Sequence, residues 1–254
     1  MYLLPKVYDN SVSYAICRPM DKKYLINSIY RATEGEGVHL GTPQVFVRFQ
    51  GCAIGCINCD SMDTWEFAGD MLSLEDIWEK LVEETYNLKI KRVSITGGDP
   101  LHPKHEPQVL ELAGFLKEKG FFVNIEAAGS RVVHTIFDLI DFISFDFKTP
   151  STGVKTRVSN IVTLNKQYPG KFQIKAVIAD ERDFLATYDA YNEVLAQSES
   201  MDFPWVLTPC YEPEEEFPME RFQNILAMNE KYGSLFRVIG QQHKWVFGAD
   251  KKQV

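Results

Sequence analysis

From about residue 40 onward, short β-prone runs alternate with amphipathic helical runs, and this rhythm leaves few folds open to the chain. Residues 45–49 read as the first strand, because Val and Phe lie between polar neighbours and suit a pleated surface. Residues 72–87 read as a helix, with Ser73 as N-cap and Ile77, Leu81 and Val82 on one face. A strand at 92–96 runs into Gly-Gly, a helix at 106–119 is closed by Gly120, and a strand at 121–125 follows. Further strands are expected at 142–147, 172–178, 205–208 and 235–239. The clearest helices between them lie at 182–197 and 219–232. Parallel neighbours need a crossover, and a helix supplies it. The expected class is therefore α/β with a mostly parallel sheet, as an incomplete (partial) βα barrel or an open sheet.

At 254 residues the chain suits one domain, 1–254, with residues 1–25 as an N-terminal extension. No internal repeat, low-complexity tract or linker interrupts it, and the acidic stretch at 212–216 reads as a solvated loop. The formal charge of −8 argues against a general nucleic-acid binder, which needs clustered Lys and Arg, but leaves room for a local basic pocket. The first residues lack the basic-then-apolar order of a secretory signal, and no apolar run is long enough to cross a bilayer. A cytoplasmic protein without membrane contact is expected.

Three of the five cysteines, Cys52, Cys56 and Cys59, fall within eight positions directly after the first strand. Such bunching does not build a disulfide framework at this size and points to metal. Three thiolates on one loop can hold three irons of a [4Fe–4S] cubane and leave the fourth iron open, unlike a Cys₄ electron-transfer cluster. Gly51 and Gly55 give the backbone freedom to wrap it. A zinc site is the competing reading, but it wants four closed ligands. Cys17 and Cys210 are isolated and read as ordinary thiols.

Other polar residues gather at strand ends, where parallel α/β folds bind ligands. They are Gly97-Gly98-Asp99-Pro100, then Glu126 to Ser130, then Asp146 and Lys148. Taken singly, these could be a turn and a surface ion pair. Glu36 could cap a turn and His243 could be a core histidine. The facing of Arg48 depends on its strand parity.

The CxxxCxxC loop followed by Gly-Gly-Asp-Pro resembles the radical S-adenosylmethionine (SAM) superfamily. The resemblance implies a partial barrel whose open iron binds the amino and carboxylate groups of SAM, which is then cleaved to a 5′-deoxyadenosyl radical. It implies SAM contacts from Gly97, Gly98, Asp99, Glu126, Ser130, Asp146 and Lys148, with Ala127 where the family has Thr. Gly35-Glu36-Gly37, the VRFQGC strand, Cys59-Asp60-Ser61 with Trp65, and Gln241-Gln242-His243-Lys244 together are similar to the 7-carboxy-7-deazaguanine synthase family. That family converts 6-carboxy-5,6,7,8-tetrahydropterin to 7-carboxy-7-deazaguanine in queuosine-type biosynthesis, regenerating SAM. The likeness implies Glu36, Arg48, Gln241 and His243 as pterin contacts, and Mg²⁺ on Ser61, where the family more often has Thr. It also implies a flavodoxin or ferredoxin donor, a homodimer, and a C-terminus (251–254) that reaches the substrate. A glycyl-radical activase shares the cysteine loop and Asp-x-Lys, but the GEG segment and the His243-Lys244 terminus favour the pterin enzyme. A non-catalytic iron–sulfur or zinc scaffold is disfavoured by Gly97-Gly98-Asp99.

Overall fold

The computed structural model describes residues 23–212 and 215–254. Cys17 and nearly all of the expected extension at 1–25 lie outside the described residues. Among the described residues, nine strands form one sheet: β1 (Tyr24–Thr33), β2 (Pro43–Phe49), β3 (Met71–Leu72), β4 (Arg92–Gly97), β5 (Phe122–Ala127), β6 (Phe142–Asp146), β7 (Phe172–Ile178), β8 (Trp205–Pro209) and β9 (Arg237–Val238). Their spatial order is β3-β1-β2-β4-β5-β6-β7-β8-β9. Every pair from β2–β4 to β8–β9 is parallel, and β1 runs antiparallel to both β2 and β3. The fold is thus α/β with a mostly parallel sheet that does not close into a barrel, β3 and β9 being its two ends.

Helices α1 (Leu74–Glu84), α2 (Glu106–Glu118), α3 (His134–Phe137), α4 (Val158–Gln167), α5 (Glu181–Ala196), α6 (Met219–Lys231) and α7 (Gln242–Phe247) intervene or follow. Ser73 caps α1 through a reciprocal box: its hydroxyl accepts the Asp76 N–H at 3.1 Å, and Asp76 accepts the Ser73 N–H at 2.7 Å. The helix ends three residues before the expected 87, because Tyr86, Asn87 and Leu88 take left-handed backbone angles that no α-helix continues.

Two strands were not legible, β1 and the two-residue β3, whose Leu72 falls where the sequence reads as the start of a helix. The first strand is β1, not residues 45–49, and it begins inside the segment read as an extension. Its alternation is broken by a register shift between Ile26 and Ser28, so the apolar side chains do not keep a clean period of two. The strand expected at 235–239 is real but only two residues long.

Two faces of the sheet differ sharply. On one, Val93, Ile95, Val123, Ile125, Ile143, Phe145 and Ile174 are fully buried in the same core as Leu112 and Leu116 of α2, Ile161 of α4 and Phe184 of α5. The intervening positions are Ser94 and Thr96, Asn124 and Glu126, Ser144 and Asp146, Gln173 and Lys175. Alternate residues point to opposite faces, so four adjacent strands present a polar wall.

Candidate active site at the strand ends

The lower rung of that wall is closed on itself. Asn124 donates to Ser94 at 2.7 Å, Ser144 to Asn124 at 3.3 Å and Gln173 to Ser144 at 2.9 Å. Gln173 then accepts the Val38 N–H at 2.9 Å, tying the turn after β1 to the sheet. The upper rung, at the C-terminal ends of the strands, faces a cavity of about 730 Å³, within the range of small-molecule sites.

The cysteine loop forms one side of this cavity. Cys56 and Cys59 line it, while Cys52 sits behind, against the glycine pair. The Ile54 N–H reaches Cys52 Sγ at 3.4 Å, and Cys59 Sγ accepts from the Ser61 N–H and from Trp65 Nε1, each at 3.4 Å. Such N–H···S bonds favour the thiolate form that a cluster needs. Burial pushes the Cys56 thiol up, and the Lys148 ammonium opposes it. The glycines serve the same loop. A Cβ on Gly98 would stand 2.5 Å from the Gly51 carbonyl oxygen and 2.7 Å from Cys52 Cβ; one on Gly97, at φ +147°, would stand 2.4 Å from the Phe49 oxygen. Gly51 O also accepts the Asp99 N–H at 3.0 Å. Three thiols on one loop, two already taking N–H bonds, with glycines where any side chain would intrude, fit an iron–sulfur cluster. Among the described residues, no three His, Cys, Asp or Glu side chains converge as around a single ion.

A buried charge cluster lines the same cavity. Lys175 Nζ stands 2.6 Å from Glu126 Oε2 and 3.5 Å from Glu36 Oε2. Each carboxylate also takes one side-chain amide: Asn124 on Glu126 at 2.7 Å, Gln241 on Glu36 at 2.7 Å, and Gln44 on Glu34 at 2.6 Å. Burial works against a charged Glu36, but Lys175, His243 and the Gln241 bond overcome it and hold the carboxyl down to about 2. Glu34 goes the other way, pushed up to about 7 by burial and by the Glu126 charge, against weaker pulls from Lys175 and Gln44. Asp146 and Lys148 pair at 2.7 Å between this cluster and the cysteines. Although burial disfavours its charge, Asp146 and Cys56 raise the Lys148 ammonium above its ordinary value.

The remaining candidates are placed as follows. Arg48 lines the cavity, donating to Tyr30 at 3.1 Å and to Ser61 Oγ at 3.4 Å. Ser61 in turn donates to Asp60 at 3.0 Å. His243 lines the cavity and packs against Gly35, where an added Cβ would fall 2.0 Å from His243 Nδ1. The terminal residues 251–254 line it too, and Lys252 pairs with Asp63 at 2.5 Å. Asp99 is buried, and its carboxylate accepts the Leu101 N–H at 3.1 Å. Ser130 is exposed and does not line the cavity; its carbonyl accepts from Asn160. Sequence reasoning missed Lys175, Glu34 and Thr208, whose buried hydroxyl lines the cavity without a partner. For Lys175 the signal was present in the polar pair that recurs on strands β4 to β7, where both faces of a parallel sheet usually carry apolar residues.

Known proteins bear directly on this site. The family model of a 4Fe-4S single cluster domain matches residues 33–135, a span that includes all three loop cysteines. The 7-carboxy-7-deazaguanine synthase of Aquifex aeolicus is 34% identical over 113 residues, covering 44% of this chain and 48% of that protein. The chain therefore spans about half the length of that relative. The 7-carboxy-7-deazaguanine synthase of Bacteroides thetaiotaomicron is 30% identical over 185 residues, 72% of this chain and 92% of the relative. This chain belongs to the 7-carboxy-7-deazaguanine synthase family. The crystal structure of QueE from Escherichia coli shares the fold, with a TM-score of 0.63 and 24% identity over 87% of this chain and 95% of that one. Among the described residues, no helix is long and apolar enough to cross a membrane.

Proposed function

We propose that this chain is a radical SAM lyase that converts 6-carboxy-5,6,7,8-tetrahydropterin to 7-carboxy-7-deazaguanine with loss of ammonia. The observation that carries the proposal is that the cysteine loop and the Glu36–Lys175–Glu126 cluster line a single cavity. Overall the substrate loses one nitrogen and three hydrogens as ammonia, without net oxidation. Cys52, Cys56 and Cys59 would hold the [4Fe–4S] cluster. Gly97, Gly98 and the Asp146–Lys148 pair lie beside the loop, as SAM contacts would. When bound there, a reduced cluster and SAM would supply the means of hydrogen-atom abstraction from the pterin C6.

The chain's own work is recognition and exclusion of side reactions. Glu36, ionised at any ordinary pH, accepts N–H bonds from the pyrimidine edge of the pterin, a charge-assisted interaction of the stronger kind. Gln241 fixes the Glu36 carboxylate, leaving lone pairs free for the ligand. Arg48 presents a fork suited to the substrate carboxylate, and His243 lines the same cavity. Mg²⁺ would take the Ser61 hydroxyl and the Asp60 carboxylate, hard oxygens of the kind it prefers. That requires Arg48 to release Ser61 Oγ and turn to the substrate. A one-electron donor such as flavodoxin or ferredoxin and a homodimeric state belong to this reading, as does a cytoplasmic setting.

Steady-state kinetics of Glu36→Gln test the pterin contact. An uncharged amide offers one acceptor where the carboxylate offers two, so KM for the pterin should rise roughly 10-fold or more, by the 1.5–3 kcal/mol of a charged hydrogen bond. An unchanged KM would remove Glu36 from substrate recognition.

A further inference from the structure

Lys175 stands at the centre of the charge cluster and touches neither the cysteine loop nor any group given a role toward the substrate except Glu36. In register it stands beside Asp146 on the adjacent strand β6, and Asp146 pairs instead with Lys148. The Lys175 ammonium reaches past β6 to Glu126 on β5, at 2.6 Å, and toward Glu36 in the loop after β1, at 3.5 Å. Two carboxylates from separate parts of the chain therefore converge on one cation in the cavity wall. Each has its second oxygen fixed by an amide, Gln241 for Glu36 and Asn124 for Glu126. A third carboxyl, Glu34, stands near enough to feel both charges and is held by Gln44.

A buried ion pair is weak evidence for stability alone, because apolar residues of similar volume usually serve as well. Here the three groups also line the cavity, so a ligand can use the lone pairs that the protein leaves open. A tetrahydropterin has N–H donors at both ends, on its aminopyrimidinone edge and on its reduced ring. Two fixed carboxylates match that distribution, and one lysine keeps them from repelling each other.

Resting on the pterin reading, we propose that Lys175 is a positioning residue that holds Glu36 and Glu126 at a fixed spacing and aimed into the cavity, so that the substrate donates N–H bonds to both at once, with Glu126 serving the substrate rather than SAM. Lys175 makes no bond in the reaction; it sets the spacing of the two acceptors.

Steady-state kinetics and pterin binding of Lys175→Met, Lys175→Arg, Glu126→Gln and Glu126→Gln/Lys175→Met, on anaerobically reconstituted protein, test this. Lys175→Met should lower kcat/KM roughly 100-fold, the usual effect of misplacing a binding group by about an ångström, chiefly through KM. Iron content and cluster absorbance should stay as in wild type. Lys175→Arg, which keeps the cation, should recover much of the loss. If Lys175→Met does not fold, the double variant decides: its loss should exceed that of Glu126→Gln alone, because Glu36 also loses its anchor, and a loss equal to that of Glu126→Gln alone would show that Lys175 does not position Glu36. Wild-type KM in Lys175→Met, no recovery in Lys175→Arg, or a double variant no worse than Glu126→Gln would overturn the proposal while leaving the pterin reading intact. Absence of pterin turnover in the wild type would overturn that reading and this one with it.

Discussion

A methyl group at Gly98 would meet the Gly51 carbonyl oxygen and Cys52 Cβ, both closer than carbon atoms approach in folded proteins, and neither is the far end of a flexible side chain. The second glycine of the pair is thus a spacer that lets β4 end against the cysteine loop. Gly98→Ala should displace Cys52 and lower the iron content of the reconstituted protein well below four per chain, while the far-ultraviolet spectrum of the helices persists. Full iron loading would show that the loop can yield. Glu34 makes a different demand. Its carboxyl, raised from 4.5 to about 7, keeps its proton in the folded chain after the unfolded chain has lost it. The contribution of Glu34 to stability therefore declines as pH rises from 4.5 to 7 and stays lower above, by about 3 kcal/mol. Glu34→Gln removes that decline. Urea unfolding should find the variant more stable than wild type by about this amount at pH 8 and little changed at pH 4; a variant less stable at pH 8 would contradict a proton-bearing Glu34.

At the scale of elements, the sequence was most legible where a strong local signal coincided with burial. Strands β4 to β8 and helices α1, α2, α5 and α6 stand within a few residues of their expected bounds, because each carries an apolar face that only one register buries. Ser73 marked the start of α1 correctly, and Ser73→Ala should cost about 1 kcal/mol in urea unfolding without altering iron content. A loss of iron would instead mean that α1 supports the site. The missed strand β1 shows the limit: its bulge at Asn27 breaks the alternation, so the pairing with β2 that follows it cannot be read from a period of two. The candidate site divides the same way. Cysteines and glycines announce themselves by spacing, and so the loop was readable. Lys175 is one lysine in an apolar strand, and only its partners from β5 and the Glu36 turn, distant in sequence, give it meaning. Ser130, placed by resemblance, lies just past β5 where the backbone has turned to solvent.

Across the whole molecule, one sheet does two jobs with its two faces. The helix-covered face is uniformly apolar and supplies the core, while the other carries a closed polar rung below and a charged rung at the strand ends. The net charge of −8 says little about this interior, where Arg48, Lys148, Lys175 and His243 stand among the acidic groups of the cavity wall. The central claim is that this cavity joins a reductive SAM centre to a pterin site. Its most direct test is anaerobic incubation of reconstituted protein with SAM, dithionite, Mg²⁺ and 6-carboxytetrahydropterin, read by mass spectrometry, with Cys56→Ala and a magnesium-free arm alongside. The account predicts 7-carboxy-7-deazaguanine from the wild type, none from Cys56→Ala, and a reduced yield without magnesium. Formation of 5′-deoxyadenosine without the deazaguanine, from protein with a full cluster, would contradict it.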